Sequence, residues 1–90
     1  MRRYTYPAVV YSDEELFALK INDLSIVADG LTIEGAFENT LAQLQIYLGY
    51  ALLLESEIPE ASEFRDIAKQ VPKNVVLLVS EKAEEKVGEL

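Results

Sequence analysis

The groups most able to carry chemistry in this 90-residue chain are carboxylates: sixteen Asp and Glu stand against eight Lys and Arg. Asp13, Glu14, Glu15, Asp23, Asp29, Glu34 and Glu38 fall in the first half. Paired carboxylates can work as general acid and base in glycoside hydrolysis, or hold two metal ions for phosphoryl chemistry. Here they fall at turns or on the outer side of a helix, where acidic residues commonly serve solubility. Histidine and cysteine are absent, so Ser-His-Asp, Cys-His and His- or Cys-based zinc arrangements are excluded. An EF-hand centred on Gly30 fails, because Ser25, Val27 and Ala36 would occupy loop positions one, three and twelve, which removes most of the required oxygens. The run Asp29-Gly30-Leu31-Thr32-Ile33-Glu34-Gly35 has no lysine after its second glycine, so it is no phosphate loop. The expectation is a protein without catalytic site, metal or cofactor.

The acidic balance points to a binding role. A net charge of -8 repels nucleic-acid phosphates and speeds encounter with basic partners. Direct nucleic-acid binding is therefore not expected. Half the residues are apolar, enough for one core, and the length fits a single domain over 1–90 with a charged tail from 81. No apolar segment follows Met1-Arg2-Arg3-Tyr4, and the apolar stretch near Leu54 is shorter than the roughly 20 residues of a membrane span. A cytoplasmic protein with no membrane contact is expected.

These carboxylates must be placed by an α+β framework. Tyr4–Tyr11 is rich in aromatic and β-branched residues and reads as a strand. Pro7 makes it an edge strand, or one with its free side at Pro7. Leu16–Ile21 alternates Phe17, Leu19 and Ile21 against Leu16, Ala18 and Lys20, a second strand; Asn22-Asp23 turns the chain into a short third strand, Ser25–Ala28. Thr32 suits a helix N-cap. From there Ile33, Phe37, Leu41, Leu44, Leu48 and Leu52 mark a helix to about Leu54. Glu34, Glu38, Asn39, Gln43 and Gln45 form its outer face, whereas Ile46–Leu54 is apolar all round. Such a segment needs cover on more than one side, from the chain's own C-terminal part or from another molecule. Ser62 can cap a short helix over Glu63–Gln70, and Val75–Val79 reads as a strand buried on both faces. The order is β-β-β-α-α-β, three strands forming an antiparallel meander before the helices.

The runs Tyr6-Pro7-Ala8-Val9-Val10, Asn22-Asp23-Leu24, Asp29 to Asn39 (DGLTIEGAFEN) and Glu57-Ile58-Pro59-Glu60-Ala61-Ser62 together resemble the HicB antitoxin family. Val75–Val79 resembles the last strand of that family's domain, so the likeness covers about residues 4–80. It implies a reduced RNase H-like fold without a nuclease site, and an antitoxin that binds and blocks HicA, a small basic mRNA interferase. Homo-oligomers are common in that family. Three departures stand out: the Asn22-Asp23-Leu24 turn is shortened, Gly35 leaves the capping box at Thr32 incomplete, and only Ser80–Leu90 follows where a C-terminal DNA-binding module is usual. Charge alone nominates Asp13, Glu14, Glu15, Glu34 and Glu38 for partner binding, and the apolar end of the helix nominates Ile46, Tyr47, Tyr50, Leu53 and Leu54 for an oligomer contact. The alternatives are a HicB-like homo-oligomer with another role and a carboxylate-dependent metal nuclease.

Overall fold

Period-two hydrophobicity in the first thirty residues and a three-to-four-residue period after Thr32 resolve into a sheet and one long helix. The computed structural model describes residues 2–83. In chain order these form β1 (Arg2–Ser12), β2 (Phe17–Ile21), β3 (Ile26–Gly30), α1 (Ile33–Leu53), α2 (Phe64–Gln70) and β4 (Val76–Ala83). The strands lie side by side as β3-β2-β1-β4, each neighbouring pair antiparallel.

Register decides which residues share a face. Val10 lies opposite Leu19, Ile21 opposite Ile26 and Tyr6 opposite Val79, and directly paired residues project to the same side. These side chains meet Ala36, Leu44 and Leu48 of α1 in the main core, with Tyr4 and Ala8. The helix buries Ala36, Thr40, Leu44, Leu48 and Ala51, a single stripe at helical spacing. The Thr40 hydroxyl donates to the Ala36 carbonyl at 2.8 Å, so the one polar member of the stripe is satisfied. Pro7 and Val9 point the opposite way and are buried too. Helix α2 contacts β1 and β4 and buries Ile67, so this short helix is the cover on that side.

Pro7 lies in a central strand, and the register explains how. β2 pairs only with Val9–Ser12 of β1, while β4 pairs with Arg2–Val9. The Val10 amide donates toward the β4 side, to Val75. Alternate residues, Pro7 among them, therefore aim their amide edge at the β2 side, where β2 has already ended. The absent N–H removes no ladder bond.

Several boundaries differ from the sequence reading. Val75–Val79 is not a strand buried on both faces: β4 is an edge strand that begins at Val76, and Val79 is its only fully buried residue, with Leu78 53% exposed. Only alternate residues, Leu77 and Val79, can reach the α1 core, and seven-residue α2 leaves part of the other side open. Glu81–Ala83, expected in a charged tail, belong to β4; the remainder of that tail lies outside the described residues. The Asn22-Asp23 turn is one turn of 3-10 helix, Asn22–Leu24, closed by Ser25 in the left-handed region at φ 56°. The third strand consequently starts at Ile26 and runs to Gly30. Ile33, expected on the apolar stripe of the helix, is exposed.

The segment between the helices is tied down by three long-range hydrogen bonds. The Tyr6 hydroxyl, on a residue only 2% exposed, donates to the Pro59 carbonyl at 2.6 Å. Ser62 does not cap α2 as expected; its hydroxyl and amide donate to the Asp23 carboxylate at 2.5 and 3.0 Å. Glu63 holds the capping position without a side-chain bond. Burial, followed by the fields of Tyr47 and Asp23, raises the Tyr6 phenol from 10.0 to about 12. The folded state thus keeps this proton longer than the unfolded chain, and the associated stability is complete below pH 10.0 and is lost as pH climbs toward about 12. Tyr6→Phe should lower stability by about 1 kcal/mol near neutral pH. Denaturant titrations should also show a smaller alkaline loss in the variant than in the parent.

Candidate functional site

The acidic residues nominated from sequence come from two separate segments, and the topology brings these to one end of the molecule. Phe17 at the start of β2 pairs with Gly30 at the end of β3. The β1–β2 turn, with Asp13, Glu14 and Glu15, therefore adjoins the exit of β3 into the first turns of α1, with Glu34 and Glu38. Asp29 lies on the same end, and all six carboxylates are on exposed residues. Asp23 is excluded from this group by its position at the opposite end of β2 and by its bonds to Ser62.

Each local segment has a physical reason to sit there. The Asp13 carboxylate accepts from the amides of Glu15 and Leu16 at 2.8 and 2.9 Å, and its own amide donates to the Leu16 carbonyl. Asp13 is thus a turn-forming residue, and Glu14 and Glu15 are the free charges of the turn. Those two amide bonds hold the Asp13 carboxyl below its ordinary value. At α1, the Thr32 hydroxyl accepts from the Gly35 amide at 2.9 Å, the expected N-cap. Glu34 lies in the first turn, where the helix dipole favours a negative charge. Asn39 closes the junction by donating to the Asp29 carbonyl at 2.7 Å.

Gly30 sets how closely β3 and α1 meet. A Cβ placed there would lie 2.5 Å from the Ala36 nitrogen and 2.8 Å from the Gly35 carbonyl carbon. Both are backbone atoms, so the strand could carry a side chain only by moving away from the helix. This packing role of Gly30 depends on a helix backbone up to six residues later and leaves no local signal in the sequence.

A second feature lies along the far half of α1. Ile46, Tyr50, Leu53 and Leu54 are exposed by 55, 63, 69 and 69%. Tyr47, grouped with them from sequence, is half-buried against the core instead, because it stands three residues after buried Leu44 and four before buried Ala51. A groove of about 410 Å³ runs beside this ridge, lined by Ile46, Tyr47, Tyr50, Ala51, Leu54 and others. Among the described residues, no group of three or more His, Cys, Asp or Glu is placed to hold a metal ion. No helix among them is long and apolar enough to cross a membrane.

Neither a family model nor a curated protein sequence matches the chain. A solved structure does: the crystal structure of the Burkholderia pseudomallei antitoxin HicB superposes with a TM-score of 0.74 at 18% sequence identity. The chain carries the HicB fold. The likeness covers 84% of this chain and 60% of that protein, so the chain spans less than two thirds of the length of its structural neighbour. The HicB-like architecture includes the sheet and long helix that place the acidic end.

Two outcomes test this junction. Gly30→Ala should lower stability by about 1–3 kcal/mol through forced separation of β3 and α1, read from urea unfolding. The lowered Asp13 carboxyl contributes stability above its ordinary value of 3.8 that is lost as pH falls through its depressed folded value. Asp13→Ala should therefore melt below the parent at neutral pH, with the gap closing in strong acid.

Proposed function

We propose that the chain is a non-catalytic, HicB-like antitoxin that binds and neutralises a small basic toxin protein of the HicA type. The observation that carries this reading is the HicB antitoxin fold found over most of the chain at low sequence identity. The acidic end supports it from the side of chemistry. Glu14, Glu15, Glu34 and Glu38 are exposed, come from two segments, and are held on a bonded turn and a capped helix. A rigidly presented negative end steers a cationic partner and orients it on arrival.

The role asked of these carboxylates is electrostatic. Exposed charges at a rim chiefly raise association rate and confer salt dependence, while close apolar and hydrogen-bonded contacts determine residence time. Asp13 contributes by shaping the turn, and its substitution would confound a binding measurement with a change in stability.

The test is co-purification with the product of the neighbouring reading frame, followed by binding kinetics. A small basic protein should co-purify, and its RNA-cleaving activity should be inhibited by the chain. Glu14→Gln and Glu15→Gln combined with Glu34→Gln and Glu38→Gln should slow association by about tenfold at low salt and flatten its salt dependence. Failure of any basic neighbour to bind would overturn the reading. Divalent-metal-dependent cleavage of RNA by the chain alone would replace it with a hydrolase.

A further inference from the structure

We propose that the unpaired edge of β1 at Arg2–Tyr6 is a strand-acceptor groove for an extended acidic peptide segment of another protein. Strand β1 is 11 residues long, but β2 covers only Val9–Ser12 on one side of it. On its other side β4 covers Arg2–Val9. The bond from Val10 to Val75 sets the alternation, so the N–H and C=O groups of Arg3 and Thr5 point away from β4. Among the described residues, no hydrogen bond of the fold engages them. Two donors and two acceptors therefore stand in a row, at the spacing a further strand would use.

The space beside this edge is preformed. A groove of about 400 Å³ lies between Arg2–Tyr6 and Ile58–Ala61, a size that holds a small ligand or a short stretch of peptide. Its far wall, Ile58–Ala61, belongs to no helix or strand but is fixed at both ends. The Tyr6 hydroxyl holds the Pro59 carbonyl, and the Asp23 carboxylate holds Ser62. An entering strand thus meets β backbone on one side and an anchored segment on the other, and little order has to be gained on binding.

Charge selects the occupant. Arg2 and Arg3 are consecutive in β1 and project to opposite faces of the sheet, as would two consecutive side chains of an incoming strand. The Arg2 guanidinium lies 4.8 Å from the centre of the Tyr4 ring. Arg3 donates to the Ser80 hydroxyl at 2.9 Å, and that hydroxyl is bonded to Thr5. Both guanidiniums are oriented by neutral partners, which leaves their charge for a ligand. Lys82 lies opposite Arg3, and Glu60 is the one carboxylate in the groove lining. The acidic β1–β2 turn is at the far end of β1, about 30 Å away at strand rise, and its field is screened beyond about 10 Å at moderate salt. Two consecutive carboxylates on an extended segment match the groove, one for each arginine; a basic segment does not. The site does not rest on the antitoxin reading, which uses the opposite end.

The test is fluorescence anisotropy with a labelled peptide, acetyl-Thr-Val-Glu-Glu-Val-Thr-amide, titrated with the full chain. Saturable binding that weakens with salt is expected, and the Lys-Lys counterpart should not bind. Arg2→Gln with Arg3→Gln should weaken binding by about tenfold at low salt, whereas Glu60→Gln should tighten it. Thr5→Pro removes a donor from the open edge and leaves the β4 ladder intact, as Pro7 already does, so it should weaken binding about fivefold or more. Thr5→Val keeps the amide and should stay near the parent. Methylating the two glutamate amides of the peptide tests the same pairing without altering the chain, and should abolish binding. No binding of the parent peptide would sink the proposal, as would equal binding of the Lys-Lys or the methylated peptide. Displacement of the peptide by an equal concentration of inorganic phosphate would reduce the groove to a bare anion site. A fall in the parent's light-scattering mass on Thr5→Pro would assign the edge to a second copy instead; either result refutes the acidic-peptide proposal. The combined Glu14, Glu15, Glu34 and Glu38 to Gln variant should bind the peptide like the parent, so loss of this site and loss of toxin binding are separate results.

Discussion

A single helix has to cover one face of a four-stranded sheet, and most of the molecule follows from that mismatch. An α-helix is about 10 Å across with its side chains, whereas four strands at about 4.8 Å spacing span considerably more. Helix α1 can therefore bury only a stripe, and Ala36, Thr40, Leu44, Leu48 and Ala51 are that stripe. The sheet answers with large residues, Tyr4 and Tyr6, which reach the core from the central strand. Small Ala36 and the bare Gly30 draw helix and strand together at one end, and the bulky pair fills the space toward the other.

The same constraint explains why the segment after α1 is pinned down. The chain must return from the helix to the opposite side of the sheet, where Pro7 and Val9 need cover. Pro59 and Ser62 are fastened to Tyr6 and Asp23, each on a different strand or turn. Anchoring this connection reduces the conformational freedom that a loop of this length would otherwise retain, and it delivers α2 to β1 and β4. Raising the Tyr6 phenol to about 12 is a by-product of placing that anchor in the core.

The local elements were readable because they rest on local chemistry. Thr32 caps α1, the helix period is clear from Phe37 to Leu52, and the alternation in β2 identifies Leu19 and Ile21 as core. The carboxylates nominated for binding were legible as charges, but their gathering at one end depends on the Phe17–Gly30 register, which no single segment encodes. What misled the sequence reading was tertiary. Val75–Val79 has the composition of a doubly buried strand, yet it became an edge, since continuous apolarity reports burial without saying which neighbours supply it. Ser62 has the residue type of a helix cap, but a carboxylate 39 positions earlier in the chain competes better for its hydroxyl. Asp13 was nominated for partner binding on its charge alone, and the structure adds a local turn-forming role through the amides of Glu15 and Leu16.

Along α1 the fold separates two kinds of surface that act through different physics. The N-terminal end combines exposed carboxylates with a capped first turn, and its influence on a partner falls within a Debye length of about 8–10 Å as salt rises. The C-terminal half is uncharged and apolar, so burial there is nearly insensitive to salt and draws on the area removed from water. Twelve residues separate Glu38 from Tyr50, about 18 Å along the axis, which exceeds the distance at which substitutions ordinarily perturb one another. Charge at one end can therefore change without altering the apolar surface at the other. Helix α1 contains no Lys or Arg, so its charge is carried by Glu34 and Glu38 in its first two turns and its apolar half presents no base that could draw a carboxylate toward it.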